Sequence, residues 1–217
     1  IKMTLSLLRQ IGVDSNCQQN HITIKPAKKL LKKTVVVESD WSSASYFYSI
    51  IALSEIGSEI KLSAYKKESL QGDSCLAEIY QHFGVATFFN GNSIILKKVK
   101  VHSKNKLIKD LKNAPDIAQT IVVTCFGLQI DCELSGLHTL KIKETDRLEA
   151  LKAELSKLGA SISVTNNSLH LNEVTHINKN VAIKTYKDHR MAMAFAPLAI
   201  KVPITILEAE VVSKSYQ

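Results

Sequence analysis

The sequence predicts an α/β fold built from repeated units of 72–76 residues around a pseudo-symmetry axis, and three observations support it. First, residues 8–25 (LRQIGVDSNCQQNHITIK), 80–97 (YQHFGVATFFNGNSIILK) and 155–172 (LSKLGASISVTNNSLHLN) share one plan: a helix end, a glycine, a short strand, a polar turn and a second strand. Second, Asp40, Asp116 and Asp188 each stand ahead of an apolar run, YFYSIIAL, IVVTCFGL and MAMAFAPLAI. Third, a strand-like stretch follows each run (EIKLSAY, DCELSGL, ITILEAE), and a polar helix start follows each stretch (ESLQGDSCL, KETDRLEA, VSKSYQ).

Each element has a local reason. Gly12, Gly84 and Gly159, spaced 72 and 75 apart, suit the position just past a helix end, where the backbone turns left-handed. The turns NGN and TNNS are hairpin signals. The unit therefore reads helix–strand–helix–strand–strand. The apolar helices, expected over 46–53, 121–128 and 191–200, belong at the centre. The helix carrying Leu148, Leu151, Leu155 and Leu158 at helical spacing is outer and amphipathic, with Thr145 as its expected N-cap. A repeat of this kind aims several helix N-termini at one region, and such ends attract anions.

Composition narrows the functions. A chain of 217 residues, 45% hydrophobic, supports one large domain or two small ones. No apolar run approaches the ~20 residues of a membrane span. No signal peptide is visible, and a chain running from Ile1 to Gln217 is expected to be a piece of a longer protein. The net charge of +8 calls for an anionic partner. Cys17, Cys75, Cys125 and Cys132 have no CxxC pairing and read as free thiols of a reducing, cytoplasmic compartment. The sequon at 166–168 is expected to be idle. The lysine run from Lys28 to Lys33 lacks interleaved aromatics and reads as a solvated edge rather than a nucleic-acid patch. His21, His82, His102, His138, His170 and His176 have no metal-ligand spacing.

Two arginines sit oddly. Arg147 and Arg190 fall in first turns, where the helix field is positive and an exposed cation costs roughly 0.3–1 kcal/mol. Arginine also grips carboxylate and phosphate bidentately. Lys143 and Arg147 flank Glu144 and could be no more than internal ion pairs of a solvated helix start. Asp116, after Pro115, and Asp40 are each favoured in a first turn without any function, and Asp188 serves as a cap.

KETDRL at 143–148 together with DHRMAM at 188–193 is far more specific than either alone, and ESDWSSASYF, QGD, PD and SKSY accompany them in order along essentially the whole chain. With these motifs the sequence resembles the 5-enolpyruvylshikimate-3-phosphate synthase family, the 3-phosphoshikimate 1-carboxyvinyltransferases. The resemblance implies an enolpyruvyl-transferase fold of two domains, each of three βαβαββ units about a pseudo-threefold axis, here as a partial two-domain chain. Residues 1–39 would finish the second domain, and 40–217 would form most of the first, truncated at its C-terminus. It implies transfer of the enolpyruvyl group of phosphoenolpyruvate to the 5-hydroxyl of shikimate 3-phosphate, with loss of phosphate and without metal or organic cofactor. Carried over residue by residue, Asp116 is the implied base and shikimate ligand, and Glu144 the proton donor and acceptor at C3. Arg147 and Arg190 hold phosphoenolpyruvate with Lys214 beside them, Lys143 binds shikimate 3-phosphate, and His189 supports the phosphoenolpyruvate side. Where the family often has Asn, this chain has Thr139, so that role is not carried over. Other family site segments would precede Ile1, so the chain alone is expected to be inactive. The expected partners are the two substrates, with no nucleic acid and no membrane, and the expected state is a monomer. Two alternatives are UDP-N-acetylglucosamine enolpyruvyl transferase, against which KETDR and DHR argue, and a nucleic-acid-end-processing or binding relative of the same fold.

Overall fold

The computed structural model describes residues 1–27, 29–32, 34 and 36–215. Lys28 and Lys33, which end the lysine run, and Tyr216 of the SKSY motif lie outside the described residues.

Helix α1 (Lys2–Gln10) leads into a hairpin of β1 (Ser15–Gln18) and β2 (His21–Ile24). This segment packs thinly. Leu5 is the buried residue of α1, while Met3, Leu7, Ile22 and Ile24 stay exposed. The large core instead runs from Trp41 to Val202.

At its centre lie α2 (Trp41–Leu53), α4 (Ala118–Gly127) and α6 (His189–Phe195), each packed on the other two. They are apolar all round because they are surrounded: every residue of α4 is buried. This bears out the expectation of central helices, with shifted limits. Helix α2 begins at Trp41 because Asp40 caps it, accepting from the amides of Ser42 and Ser43. Helix α6 stops at Phe195 and tightens into a 3-10 turn over Ala196–Ile200, where Pro197 removes an amide donor. Between α2 and α4, hydroxyls meet in an otherwise apolar contact. Ser45 and Thr120 stand 3.0 Å apart, Thr124 donates to Ser49 at 2.8 Å, and Tyr80 lies 3.0 Å from Thr124.

Each central helix has a sheet outside it. Strands β3 (Glu59–Ser63), β4 (Val85–Asn90) and β5 (Ser93–Lys98) form an antiparallel sheet in the order β3-β5-β4. Strands β6 (Leu107–Asp110), β7 (Cys132–Ser135), β8 (Ile162–Val164) and β9 (Leu169–Leu171) form a mixed sheet in the order β6-β7-β9-β8. Strands β10 (Val181–Ile183) and β11 (Ile204–Ile206) pair in parallel. The unit read from periodicity alone lacks β6 and β10, the strands placed ahead of α4 and α6. They have four and three residues and, unlike the equally short β8 and β9, no glycine or polar turn of the repeat marks them. With them restored, β6-α4-β7-α5-β8-β9 is a full βαβαββ unit.

The outer helices vary more than the repeat suggests. In the middle unit α5 (Arg147–Lys157) is long, and Leu148, Leu151, Leu155 and Leu158 are all buried, as the spacing predicts. In the first unit its counterpart is a 3-10 turn (Gly72–Cys75) running into the one-turn α3 (Leu76–Ile79), and in the last a 3-10 turn (Ala209–Lys214). The cap of α5 is Asp146, not Thr145: its carboxylate accepts from the amides of Leu148 and Glu149, both at 3.2 Å. Both residues are good caps, and the helix starts one residue later than expected. Gly12, Gly84 and Gly159 do take positive φ, at 89°, 79° and 101°. Gly84 has a second constraint, because a Cβ there would collide with the Lys100 carbonyl oxygen. No helix among the described residues is long and apolar enough to cross a membrane.

Candidate active site

The starts of α4, α5 and α6 meet around one guanidinium. Arg147 opens α5, yet its side chain is only 2% exposed. Its Nε donates to Asp188 Oδ2 at 2.7 Å, its Nη1 to Asp116 Oδ1 at 3.0 Å and its Nη2 to Glu144 Oε2 at 2.6 Å. Three carboxylates therefore offset the penalty of placing a cation in a first helical turn. Arg147 is neither solvated nor confined to a local pair with Glu144.

Asp188 does two things at once. Fully buried, it accepts from the Arg190 amide at 2.9 Å as the cap of α6, and it holds Arg147. Sequence reasoning gave it the cap alone. Nothing local announces the second role, because the partner lies 41 residues away. Asp116 breaks the series to which Asp40 and Asp188 belong. It sits inside the 3-10 turn Pro115–Ile117, which has no side-chain cap, and its carboxylate points at cations. Lys143 Nζ stands 3.4 Å from Asp116 Oδ1, and Arg190 Nη2 3.5 Å from Oδ2.

The cluster thus sets Lys143, Arg147 and Arg190 against Asp116, Glu144 and Asp188. His189 stands 4.0 Å from Asp188. Burial pushes its pKa below the usual histidine value, with Arg190 and Arg147 adding to the effect against Asp188 and Glu144. Glu144 has its carboxyl held low, first by its own backbone N–H and then by Arg147, His189 and Arg190, against the opposing effect of partial burial. It is 47% exposed and so can exchange protons with solvent.

The two arginines, equivalent in sequence, differ in place. Arg147 is committed to carboxylates. Arg190 lines a cavity of about 290 Å³ with Asp40, Ser43, Tyr46, His189 and Ser215. Burial opposes its charge, but Tyr46, Asp116, Asp40 and Asp73 hold its pKa above the usual guanidinium value. Lys214 ends the last 3-10 turn, which packs on α6 beside Ser215. The Lys214 ammonium is exposed and makes no hydrogen bond or ion pair with the described residues. The structure therefore brings Asp116, Lys143, Glu144, Arg147, His189 and Arg190 together and leaves Lys214 at the rim. Thr139 Oγ1, Thr185 Oγ1 and both polar atoms of Gln119 are buried without a partner among the described residues. No three His, Cys, Asp or Glu side chains among the described residues gather as a metal ion requires.

Three-unit α/β packing about central helices is an enolpyruvyl-transferase fold. The solved structure of EPSP synthase from Acinetobacter baumannii superposes with a TM-score of 0.79 at 23% identity, covering 98% of this chain and 51% of that one. The family model for EPSP synthase (3-phosphoshikimate 1-carboxyvinyltransferase) matches residues 1–217, and the chain belongs to that family. The 3-phosphoshikimate 1-carboxyvinyltransferase of Bacteroides fragilis (strain YCH46) is 43% identical over 219 residues, covering 100% of this chain and 53% of the relative. That of Shewanella pealeana is 34% identical over 219 residues, covering 100% and 50%. The chain spans about half the length of the curated relatives it matches.

Proposed function

We propose that, in the complete protein, this chain forms one wall of an active site that transfers the enolpyruvyl group of phosphoenolpyruvate to the 5-hydroxyl of shikimate 3-phosphate. The carrying observation is the interlocked cluster of Arg147 with Asp116, Glu144 and Asp188, with Lys143 and Arg190 beside it. The reaction needs a base for the hydroxyl as it attacks C2, a proton for C3, and clamps for two anionic substrates. Asp116, set among three cations, takes the hydroxyl proton. Glu144, once protonated from solvent, delivers that proton to C3 and recovers it when phosphate leaves the tetrahedral intermediate, and the departing phosphate takes the proton held by Asp116. Arg190, at the cavity wall, holds phosphoenolpyruvate with Lys214 and His189. Arg147 fixes the three carboxylates of Asp116, Glu144 and Asp188 and offers phosphoenolpyruvate what remains of its fork. Lys143 binds shikimate 3-phosphate. On this reading the enzyme is a cytoplasmic monomer without metal, organic cofactor or nucleic-acid partner. Residues 1–39 belong to the facing lobe and 40–217 to this one.

The test uses the full-length protein. Arg190→Ala should raise the phosphoenolpyruvate KM, since a charge-assisted hydrogen bond is worth ~1.5–3 kcal/mol, or roughly 10–150-fold. Glu144→Gln should lower turnover ~10²–10⁴-fold with ligand affinity changed far less. It should also slow solvent-deuterium exchange into the methylene of phosphoenolpyruvate. Unaltered exchange in that variant would move the proton-transfer role elsewhere, and wild-type kinetics in Arg190→Ala would remove the clamp.

A further inference from the structure

Helix α5 carries two buried charged groups on one face, Arg147 and, two turns on, Glu154. The first belongs to the cluster above. The second belongs to nothing described so far, although it is fully buried and accepts four hydrogen bonds. Lys157 Nζ donates to its two oxygens at 2.7 and 2.6 Å, the Lys184 amide at 3.1 Å and the Tyr186 hydroxyl at 2.7 Å. Lys157 answers the charge from the same helix. The other two donors come from the segment that joins β10 to α6.

That segment needs holding. Tyr186 and Lys187 are consecutive non-glycine residues in the left-handed region, at φ 54° and 57°. Each such residue costs on the order of 1 kcal/mol or more and persists only where its surroundings fix it. One end is fixed by Glu154 on Lys184 and Tyr186. The other is fixed by Asp188, whose amide donates to the Thr185 carbonyl and whose carboxylate returns to Arg147 on the same helix. The strained turn is therefore strapped to α5 at two points, and what it delivers is Asp188, the carboxylate that both orients Arg147 and caps the helix bearing His189 and Arg190. Burial and the neighbouring Glu154 charge push the Tyr186 phenol up to about 12, so it remains a donor at every working pH.

We propose that Glu154, acting through Tyr186, is a positioning residue for the anion-clamping cluster, setting where Asp188 meets Arg147 and hence where α6 presents Arg190. Its value to catalysis rests on the enolpyruvyl-transfer reading, but its structural content does not. In the full-length protein, hydrogen exchange at the Arg147 side-chain Nε–H, assigned by its loss in Arg147→Lys, reads the Asp188 contact directly. Tyr186→Phe removes one hydroxyl, and Glu154→Ala removes both strap acceptors. Each should speed that exchange roughly five- to tenfold, as the loss of about one hydrogen bond predicts, while backbone amides of β4 and β5 change much less. Glu154→Gln keeps an acceptor oxygen and should restore part of the protection. If Glu154→Ala does not fold, Tyr186→Phe decides. In the full-length enzyme Tyr186→Phe should lower kcat/KM by roughly tenfold through misplaced clamps. The proposal is overturned if exchange at Arg147 is unchanged, or if it rises no more than at β4 and β5, which is the signature of mere loss of stability. Because exchange needs no turnover, the positioning role and the enolpyruvyl-transfer reading can fail separately, and each failure shows in a different measurement.

Discussion

Asp188→Asn separates the two roles of one carboxylate. Asparagine caps a helix about as well as aspartate, so α6 keeps its start. What is lost is the negative charge 2.7 Å from Arg147 Nε. Removing one partner of a buried ion pair costs about 3–5 kcal/mol when the other is left alone. Arg147 is not left alone, since Asp116 at 3.0 Å and Glu144 at 2.6 Å still face it, which places the expected loss at or just below the lower limit of that range, about 2–3 kcal/mol. For a chain of 217 residues each kcal/mol moves the midpoint by ~2–4 °C, so the predicted drop in Tm is ~4–12 °C. Asp188→Ala removes the cap as well and should cost about 1 kcal/mol more. Thermal unfolding by circular dichroism on the three chains measures both steps. An Asn variant within about 1 °C of wild type would refute the reasoning, because Arg147 would then gain nothing from its buried partner.

Lys98 is buried on β5, donates to the carbonyls of Ala52 at 2.7 Å and Phe83 at 2.6 Å, and has its pKa lowered to about 8 from 10.5 by burial and then Lys201. The folded chain thus releases a proton that the unfolded chain still holds between about pH 8 and 10.5, so this group makes stability rise with pH across that window. The neutral amine retains two N–H donors for its two carbonyls. Cys75, raised to about 11 by burial, acts in the opposite sense, so the measurement is wild type minus Lys98→Met by urea unfolding at about pH 7.5 and 10, with a difference of about 1–3 kcal/mol expected. Gly84→Ala should lower stability by about 2–4 kcal/mol, since it combines positive φ with a collision against the Lys100 carbonyl, and calorimetry would show it. The 217-residue chain should bind phosphoenolpyruvate only in the millimolar range or worse and convert no shikimate 3-phosphate, because clamping from both walls supplies ~7–11 kcal/mol of the barrier. Measurable turnover by the purified chain would contradict it.

The repeat was legible because its marks are local. Gly84 and Gly159 each answer a backbone need at one position, and Asp40 and Asp188 answer the start of an apolar helix. The stripe of Leu148 to Leu158 was legible for the same reason. Strands β6 and β10 were not, since LIKD and VAI carry none of the glycine and polar-turn marks that flag the equally short β8 and β9. Choosing Asp146 over Thr145 as the cap turns on one residue of helix start, which two adjacent good caps leave undecided. In the site, Arg147 drew notice because it violated a local rule, but its partners Asp116 and Asp188 lie 31 and 41 residues away, and only packing brings them in. The same distance explains why Arg147 and Arg190, alike in sequence, end with different surroundings.

The hydroxyls between α2 and α4 bear on how this domain can move. Ser45 with Thr120, and Ser49 with Thr124, join positions 75 residues apart, one repeat length, so equivalent points of two units are pinned to each other. Shearing α2 along α4 would separate donors from acceptors inside a dry contact, at ~1–3 kcal/mol for each group left bare. Helix α6 meets the same bundle with Met191, Ala194 and Phe195, which bring no hydroxyl to it, and it is fixed instead at its start by Asp188. The bundle is therefore held in two ways, by hydroxyls along α2 and α4 and by the buried Asp188–Arg147 contact at the start of α6. Any shift of α6 along its axis has to carry Asp188 with it or break its contact with Arg147, so the reach of His189 and Arg190 is tied to α5.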